Sequence, residues 1–278
     1  MQRLEGKVAL ITGGARGQGR SHAVTLAREG AEIVICDIGR DVPTVPYPMG
    51  TSTQMQETVR LVEELDHRCL AIEADVRDAQ QIRGVVDRTI AEFGKLDILV
   101  ANAGIFSFST IAEMSDQTWN EMIDTNLKGV FHCLRAVVPH MIGRGYGRIV
   151  ATSSMAGRAG FGNIGHYAAA KWGVIGLVKS LAMEVAPHGI TVNAVCPTMV
   201  NTDMIHNDAA YRLFVPEIEQ PTDEQTRESF ASLNPIPVPW VEPQDVSNAI
   251  AYLVSDDARY VTGDAMPVAA GMNAGNVA

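Results

Sequence analysis

The residues best suited to chemistry are Ser154, Tyr167 and Lys171, within an eighteen-residue stretch reading SMAGRAGFGNIGHYAAAK. Side chains four residues apart share one face of an α-helix, so Tyr167 and Lys171 can point into the same cleft. An ammonium roughly 6 Å from a phenol, at an effective dielectric of about 20, favours the phenolate by about 2.8 kcal/mol. Ser154 precedes the helix and can hydrogen-bond the same substrate oxygen. The trio predicts proton transfer at a substrate oxygen.

A helix can also carry Tyr and Lys four residues apart by coincidence, but the start of the chain favours the chemical interpretation. The apolar run Lys7–Thr12 is followed by GGARGQG and then by a helical pattern over Arg20–Glu29. Glycines allow a tight turn and let a pyrophosphate approach the helix N-terminus, where free N–H groups attract anions. This strand, turn and helix predict a dinucleotide site. Its residues in the turn are Gly13, Arg16, Gly17, Gln18 and Gly19.

Asp37 indicates which dinucleotide is bound. It ends the second predicted strand, Ala31–Cys36. A carboxylate there accepts hydrogen bonds from the adenosine ribose 2′-hydroxyl and repels a 2′-phosphate. Arg16, a basic residue in the glycine turn, argues for NADP, and Asp37 could instead simply begin a turn. Because a carboxylate beside a phosphate costs more than a distant arginine returns, the sequence predicts NAD.

Two segments depart from the regular pattern. Residues 39–52, called the insertion below, contain three prolines and no helical or alternating period. Connections in such units usually run about 2–6 residues, so this loop is long and is expected beside the adenosine half of the cofactor. Residues 203–239, called the lid, are rich in Pro, Asp and Glu and predict a mobile cover for the substrate. Since no linker divides the chain, we expect a single catalytic domain over residues 1–278.

Composition excludes several classes of function. The net charge is −10, and Lys and Arg form no cluster of the kind that binds nucleic acid. The four cysteines are scattered and the seven histidines lack metal-ligand spacing, so no metal site is predicted. No run approaches eighteen apolar residues, and the first residues lack a signal-peptide pattern. We expect a cytoplasmic protein with no membrane or nucleic-acid partner.

Alternating strand and helix patterns predict the fold. Seven such units imply an α/β, doubly wound (Rossmann-type), mostly parallel seven-stranded sheet with helices on both faces. Ligands then bind beyond the carboxyl ends of the strands. Each of five candidate residues follows the end of a predicted strand, so we expect them to converge at this edge of the sheet: Gly13, Asp37, Asn102, Ser154 and Pro197.

The spacing of Gly13, Gly17 and Gly19, taken with Ser154, Tyr167 and Lys171, resembles the classical short-chain dehydrogenase/reductase family. The likeness covers Lys7–Gly271. It implies that Asn126 distorts its helix and holds a water that relays protons, completing the catalytic set. It also implies cofactor contacts, to which Tyr167 and Lys171 contribute, at Asp75, Val76, Asn102, Ala103, Gly104, Pro197, Val200 and Thr202. Ala101 and Thr198 depart from the family's usual Asn and Gly.

The resemblance implies NAD-dependent interconversion of a secondary alcohol and a ketone. We expect an apolar substrate, because the predicted wall carries few charges. Its members are Phe106, Ala156, Phe161, Met199, Met204 and Phe214, any of which could instead be ordinary core. The insertion and PTMVNT most resemble carveol dehydrogenase-type members, which oxidise monocyclic terpene alcohols. The alternatives are a 3-ketoacyl or hydroxysteroid reductase of the same fold and, more distantly, a cofactor-binding sensor.

Two further expectations follow from the resemblance. Members with this insertion are associated with the electron acceptor mycofactocin and keep NAD bound. The insertion could fold over the adenosine and slow release, or it could be a surface loop without effect on exchange. The family also implies a homotetramer in which the helices starting near Asp116 and Gly165 pair with their symmetry mates.

Overall fold

Seven strands form one sheet at the centre of the structure, a computed structural model that describes residues 2–275. The strands are β1 Val8–Thr12, β2 Glu32–Asp37, β3 Cys69–Glu73, β4 Ile98–Ala101, β5 Gly147–Thr152, β6 Ile190–Pro197 and β7 Ala265–Val268. Their order is β3-β2-β1-β4-β5-β6-β7, and every pairing between them is parallel. The predicted fold class is confirmed.

Helices cover both faces of the sheet. They are α1 Gly17–Arg28, α2 Ser52–Glu63, α3 Ala79–Phe93, α4 Asp116–Ile123, α5 Gly129–Arg144, α6 Gly165–Val185, α7 Asp208–Phe214, α8 Asp223–Ser232 and α9 Pro243–Leu253. Val8 and Leu10 of β1 belong to the core with α3, α5 and α6, whereas Ala9 and Ile11 belong to the core with α1, α2 and α9. Because strand side chains alternate between faces, a strand buried on both sides must be apolar throughout.

The strand order reverses between β1 and β4, which opens a crevice at their carboxyl ends. Asn102, directly after β4, ties the two strand ends together. Its side-chain amide donates to the Thr12 carbonyl at 3.0 Å, and its backbone N–H donates to the Thr12 hydroxyl at 3.0 Å. These hydrogen bonds fix the backbone at the base of the crevice.

The helix expected from Asp116 is interrupted by one π-helical turn, Asp124–Lys128, between α4 and α5. Asn126 lies in this turn and is fully buried. Single π turns often mark functional sites, because the extra residue re-aims a side chain.

The insertion is irregular until Ser52, where α2 begins behind a capping box formed by Thr51 and Gln54. The lid is more regular than its composition predicts, since it contains α7 and α8. Phe230 is fully buried, and its ring lies 4.7 Å from that of Phe214. Tertiary packing stabilises these short helices.

Within residues 2–275, no helix is both long and apolar enough to cross a membrane.

Candidate active site

Ser154 lies two residues beyond the end of β5, and Tyr167 and Lys171 lie in the first turns of α6. The Ser154 hydroxyl oxygen accepts a hydrogen bond from the Ala156 N–H at 3.1 Å, which leaves its own hydrogen free to donate. The Tyr167 hydroxyl is its partner. The structure therefore brings the predicted trio together.

The pKa of Tyr167 differs from the expectation based on spacing. Burial raises the pKa of Tyr167 to about 12, and the hydrogen bond from Ser154 opposes this rise. Lys171 Nζ lies 5.5 Å from the ring centroid and donates to the Thr152 carbonyl at 2.8 Å. Burial lowers the pKa of Lys171 to about 8. The expectation of a lowered phenol pKa is wrong for the protein alone, because loss of hydration disfavours both charged forms.

Asn126 faces this pair from the π turn. Its side chain accepts from the Ile105 N–H and donates to the Ile105 carbonyl, both at 2.8 Å. Gly104 lies between the two catalytic regions. A Cβ atom there would be 3.2 Å from the Asn126 Oδ1 atom and 3.7 Å from Lys171 Nζ. The amide therefore fixes the loop after β4 beside the lysine.

A cavity of about 400 Å³ lies beyond the carboxyl ends of β1, β2 and β4. Most of the residues predicted for the cofactor line it: Gly13, Arg16, Gly17, Gln18, Gly19, Asp37, Asp75, Val76, Asn102, Ala103, Gly104 and Thr202. Pro197 and Val200, together with Tyr167 and Lys171, line an adjoining cavity that shares Gln18, Asn102, Gly104 and Thr202 with the first. All the predicted positions therefore border one continuous groove.

The glycine turn fits a dinucleotide. A Cβ atom on Gly13 would lie 2.9 Å from the Ala103 Cα atom, and one on Gly19 would lie 1.9 Å from the Gly13 oxygen. Helix α1 begins at Gly17 without a side-chain cap, unlike α2 and α3. Its first N–H groups are thus available to a pyrophosphate.

Asp37 and Arg16 have separate roles. The Asp37 carboxylate accepts from the Ala15 N–H at 3.0 Å and the Ile38 N–H at 2.8 Å, and burial raises its pKa. Arg16 instead forms an ion pair with Asp203 and donates to the Pro48 carbonyl. Its guanidinium is therefore held by the lid and the insertion, and the argument from Arg16 for NADP loses its basis.

The insertion extends beyond the region expected to hold the adenosine half of the cofactor and contacts the catalytic region as well. Its residues Val42, Tyr47, Met49 and Gly50 line the cofactor cavity. Tyr47, Val45 and Met49 also pack in the same cluster as Phe106 and Tyr167. Spacing in the sequence carries no signal for this contact, because the partners lie far apart along the chain.

The adjoining cavity, of about 320 Å³, is the candidate substrate site. All six residues predicted for its wall line it, and the residues that prediction missed there include Met155, Ile164, Ile205, Leu213, Leu233 and Met272. Lys171 is the one charged residue among the described residues that line it. Several lining residues are methionines, whose flexible thioethers adapt to irregular ligands.

Thr198, which departs from the family pattern, anchors the lid. Its hydroxyl donates to the Asn234 Oδ1 atom at 3.0 Å, and the Asn234 amide donates to the Val238 carbonyl at 2.7 Å. A glycine at this position would lose the hydrogen bond to Asn234.

Among the described residues, no group of three or more His, Cys, Asp or Glu side chains is placed to hold a metal ion.

Comparison with known proteins agrees with this geometry. The chain is 50% identical over 273 residues to (-)-trans-carveol dehydrogenase of Rhodococcus erythropolis, covering 98% of this chain and 99% of that protein. Carveol dehydrogenase from Mycobacterium avium, solved in complex with NAD, is 47% identical, with a TM-score of 0.96 over 98% of this chain and 99% of that chain. A short chain dehydrogenase from Mycobacterium paratuberculosis bound to NAD is 37% identical, with a TM-score of 0.89 and coverage of 98% and 99%.

The family model for short chain dehydrogenases matches residues 7–212. The predicted resemblance to this family and to carveol dehydrogenases is confirmed, as is the predicted class of enzyme, an oxidoreductase acting on CH–OH groups. The chain belongs to the short chain dehydrogenase family.

Proposed function

We propose that the protein uses NAD to oxidise an apolar secondary alcohol to a ketone. One observation carries the proposal: Ser154, Tyr167 and Lys171 face an apolar cavity that opens into the dinucleotide groove. The choice of NAD rests on Asp37 at the end of β2, and solved relatives in complex with NAD support it.

The chemistry divides between the cofactor and the chain. When bound, NAD⁺ supplies the hydride acceptor for the hydrogen on the alcohol carbon. Tyr167 takes the hydroxyl proton at its phenolic oxygen, while Ser154 hydrogen-bonds the same substrate oxygen and orients it. Lys171, when charged, stabilises the phenolate and would hold the nicotinamide ribose. Asn126 holds the loop beside Lys171 and marks the path by which the proton returns to solvent.

A monocyclic terpene alcohol such as carveol fits the proposed substrate class. The cavity volume of about 320 Å³ suits a small ligand, and its wall, in which Lys171 is the one charged side chain among the described residues, favours an apolar alcohol over a carboxylate or a sugar. The similarity to carveol dehydrogenase of Rhodococcus erythropolis supports this choice.

The test mixes stoichiometric enzyme and NAD with one alcohol at a time and follows nicotinamide absorbance. Carveol should reduce NAD at least a hundredfold faster than glucose or a short hydroxy acid. The panel includes a hydroxysteroid and a 3-hydroxyacyl thioester, because the same fold could serve a 3-ketoacyl or hydroxysteroid reductase. A clear preference for either of these would overturn the substrate assignment.

We also propose that NAD stays bound between turnovers and is reoxidised by a mycofactocin-type acceptor. The insertion supports this, since it lines the cofactor cavity and is linked to Arg16 through the Pro48 carbonyl. Covering a ligand slows its release without changing the chemistry. The purified protein should carry NAD, reduce about one equivalent when given substrate, and need an artificial acceptor to continue. Steady turnover on free NAD alone would contradict this proposal.

A homotetramer and a cytoplasmic location complete the proposal. Trp119, Phe131 and Trp172 on α4, α5 and α6 are 44%, 40% and 47% exposed, which favours a covering partner helix. Val174 and Val178, which lie on the same helix as Trp172, are buried in the core of the chain and leave only part of this helix for a partner. Light scattering should give four times the chain mass, and a monomer at micromolar concentration would exclude the tetramer. Cell fractionation tests the location, which four free cysteines support.

A further inference from the structure

We propose that Tyr47, contributed by the insertion, is a positioning residue that holds the wall segment, residues 105–106, against the catalytic Tyr167. The inference rests on the proposed alcohol oxidation and adds a determinant of substrate selectivity to that site. It gives the insertion a role in catalysis that is separate from covering the cofactor.

Tyr47 is buried although it lies in an irregular, proline-rich loop. Its side chain is 7% exposed, and its hydroxyl oxygen accepts a hydrogen bond from the Phe106 N–H at 2.9 Å. The two residues are 59 positions apart in the chain. A buried backbone N–H needs an acceptor, and here a side chain of the insertion supplies it.

The wall segment has little backbone pairing of its own. Asn126 satisfies both backbone groups of Ile105, and Tyr47 satisfies the next N–H along the chain. Two side chains from different elements therefore hold three consecutive backbone groups. Tyr47 therefore fixes the N–H of Phe106 as Asn126 fixes the N–H and carbonyl of Ile105.

The side chain of Phe106 transmits this placement to the catalytic centre. Its ring contacts the Tyr167 ring edge to face, with centroids 4.9 Å apart, and contacts Phe108 at 5.2 Å. Phe106 and Tyr167 also both line the substrate cavity. A shift of the Phe106 backbone would move one wall of that cavity and one neighbour of the catalytic phenol together.

The insertion is anchored firmly enough to hold the wall. The Thr44 hydroxyl donates to Glu121 Oε2 on α4 at 2.5 Å, and the Thr44 N–H donates to the same oxygen at 3.2 Å. The Met49 N–H donates to Asp41 Oδ1 at 2.8 Å, which closes the loop on itself. Tyr47 lies between these anchors, so its hydroxyl has a defined position.

The decisive variant is Tyr47→Phe, which removes one oxygen and keeps the buried ring. Amide hydrogen exchange at Phe106 should accelerate about tenfold or more, while exchange at Ile105 stays unchanged because Asn126 still holds it. This readout needs no substrate, so it tests the placement even if the proposed alcohol oxidation proves wrong. Tyr260→Phe, at a residue 88% exposed, is the matched control and should change neither amide.

The catalytic consequence is a loss of discrimination. In single-turnover reduction of bound NAD, Tyr47→Phe should slow carveol oxidation about tenfold and slow that of 2-butanol, which is too small to fill the cavity, less than about twofold. Phe106→Leu should cause a similar loss for carveol, and the double variant should be no worse than either single variant, since both changes act on one wall.

Unchanged exchange at Phe106 in Tyr47→Phe would overturn the proposal. So would equal slowing of both alcohols, which indicates a general structural defect, or additive effects of the Tyr47 and Phe106 changes. Thermal unfolding of each variant, measured alongside, should stay within a few degrees of the parent protein.

Discussion

Arg16 in the glycine turn forms an ion pair with Asp203 at the start of the lid. The same guanidinium donates to the Pro48 carbonyl in the insertion. Burial lowers the pKa of Arg16, although nearby acidic groups oppose this. One side chain therefore connects three segments that border the cofactor groove.

Arg16→Leu should release NAD about three- to tenfold faster than the parent protein. A partly exposed ion pair contributes only about 0–1 kcal/mol, and the bond to Pro48 adds a similar amount. Exchange of bound NAD for labelled NAD measures the rate. Arg60→Leu, on the surface of α2 and paired with Glu57, is the charge-matched control. Equal release from the parent and Arg16→Leu would show that this link does not retain the cofactor.

The pKa of Tyr167 predicts different pH dependences for the two directions of the reaction. Because burial raises this pKa to about 12, the phenol is protonated at neutral pH. Oxidation needs the deprotonated phenolate, which accepts the proton of the alcohol, so its rate should rise between pH 7 and 9, by at most about tenfold per unit. Ketone reduction uses the protonated phenol and should stay level over that range. Single-turnover profiles in both directions provide the measurement, and oxidation that slows with rising pH would refute the assignment.

Lys171→Met should stabilise the fold while abolishing useful activity. The pKa of Lys171 falls from an ordinary 10.5 to about 8 on folding, so the folded state binds fewer protons between these values. The resulting cost is complete below pH 8 and disappears above pH 10.5, so stability rises with pH across that window. At pH 7 the variant should gain at most roughly 3 kcal/mol, reduced by loss of the bond to Thr152.

Thermal unfolding at pH 7 and pH 10 measures this difference. The gain should shrink at the higher pH, and Lys179→Met, at an exposed position on the same helix, should show no such trend. A variant less stable than the parent at pH 7 would mean that the buried ammonium contributes more than it costs.

Asp37→Ser should weaken NAD binding without allowing NADP to bind. Removing the carboxylate removes charge repulsion, but Gly50 of the insertion still covers the position. A Cβ atom on Gly50 would lie 3.0 Å from each Asp37 carboxylate oxygen and 2.8 Å from the Ala15 Cβ atom. A 2′-phosphate needs space that this backbone occupies. Calorimetric titration tests both dinucleotides, and NADP affinity equal to that of the parent for NAD would show that charge alone decides.

Local sequence patterns predicted most of the fold. Helix α3, Ala79–Phe93, has both of its ends written in the sequence, because Asp78 caps it and Gly94 ends it in a left-handed conformation. Helix α1 starts at Gly17 instead of Arg20, since contacts with the neighbouring helices and strands outweigh the low helix propensity of glycine. Helices α7 and α8 were not predicted, because they depend on contacts such as that between Phe214 and Phe230.

The candidate site was likewise predicted in part from the sequence. Motif spacing placed Tyr167 and Lys171 on one helix face, and the glycine turn together with the family resemblance indicated the residues that line the cofactor groove. It did not predict the contact between Tyr47 and Phe106, which depends on how a long loop folds back on the sheet. Nor did it give the pKa of Tyr167, because burial depends on the whole fold, whereas the distance to Lys171 depends only on the helix.

The most direct test of the whole account is single-turnover reduction of NAD by carveol in Tyr167→Phe. The variant keeps the ring and loses the one atom assigned to accept the hydroxyl proton. We expect NAD to bind with parental affinity and reduction to fall at least about a thousandfold. Reduction within about tenfold of the parent rate, with NAD bound normally, would contradict the assignment of Tyr167 as the catalytic base.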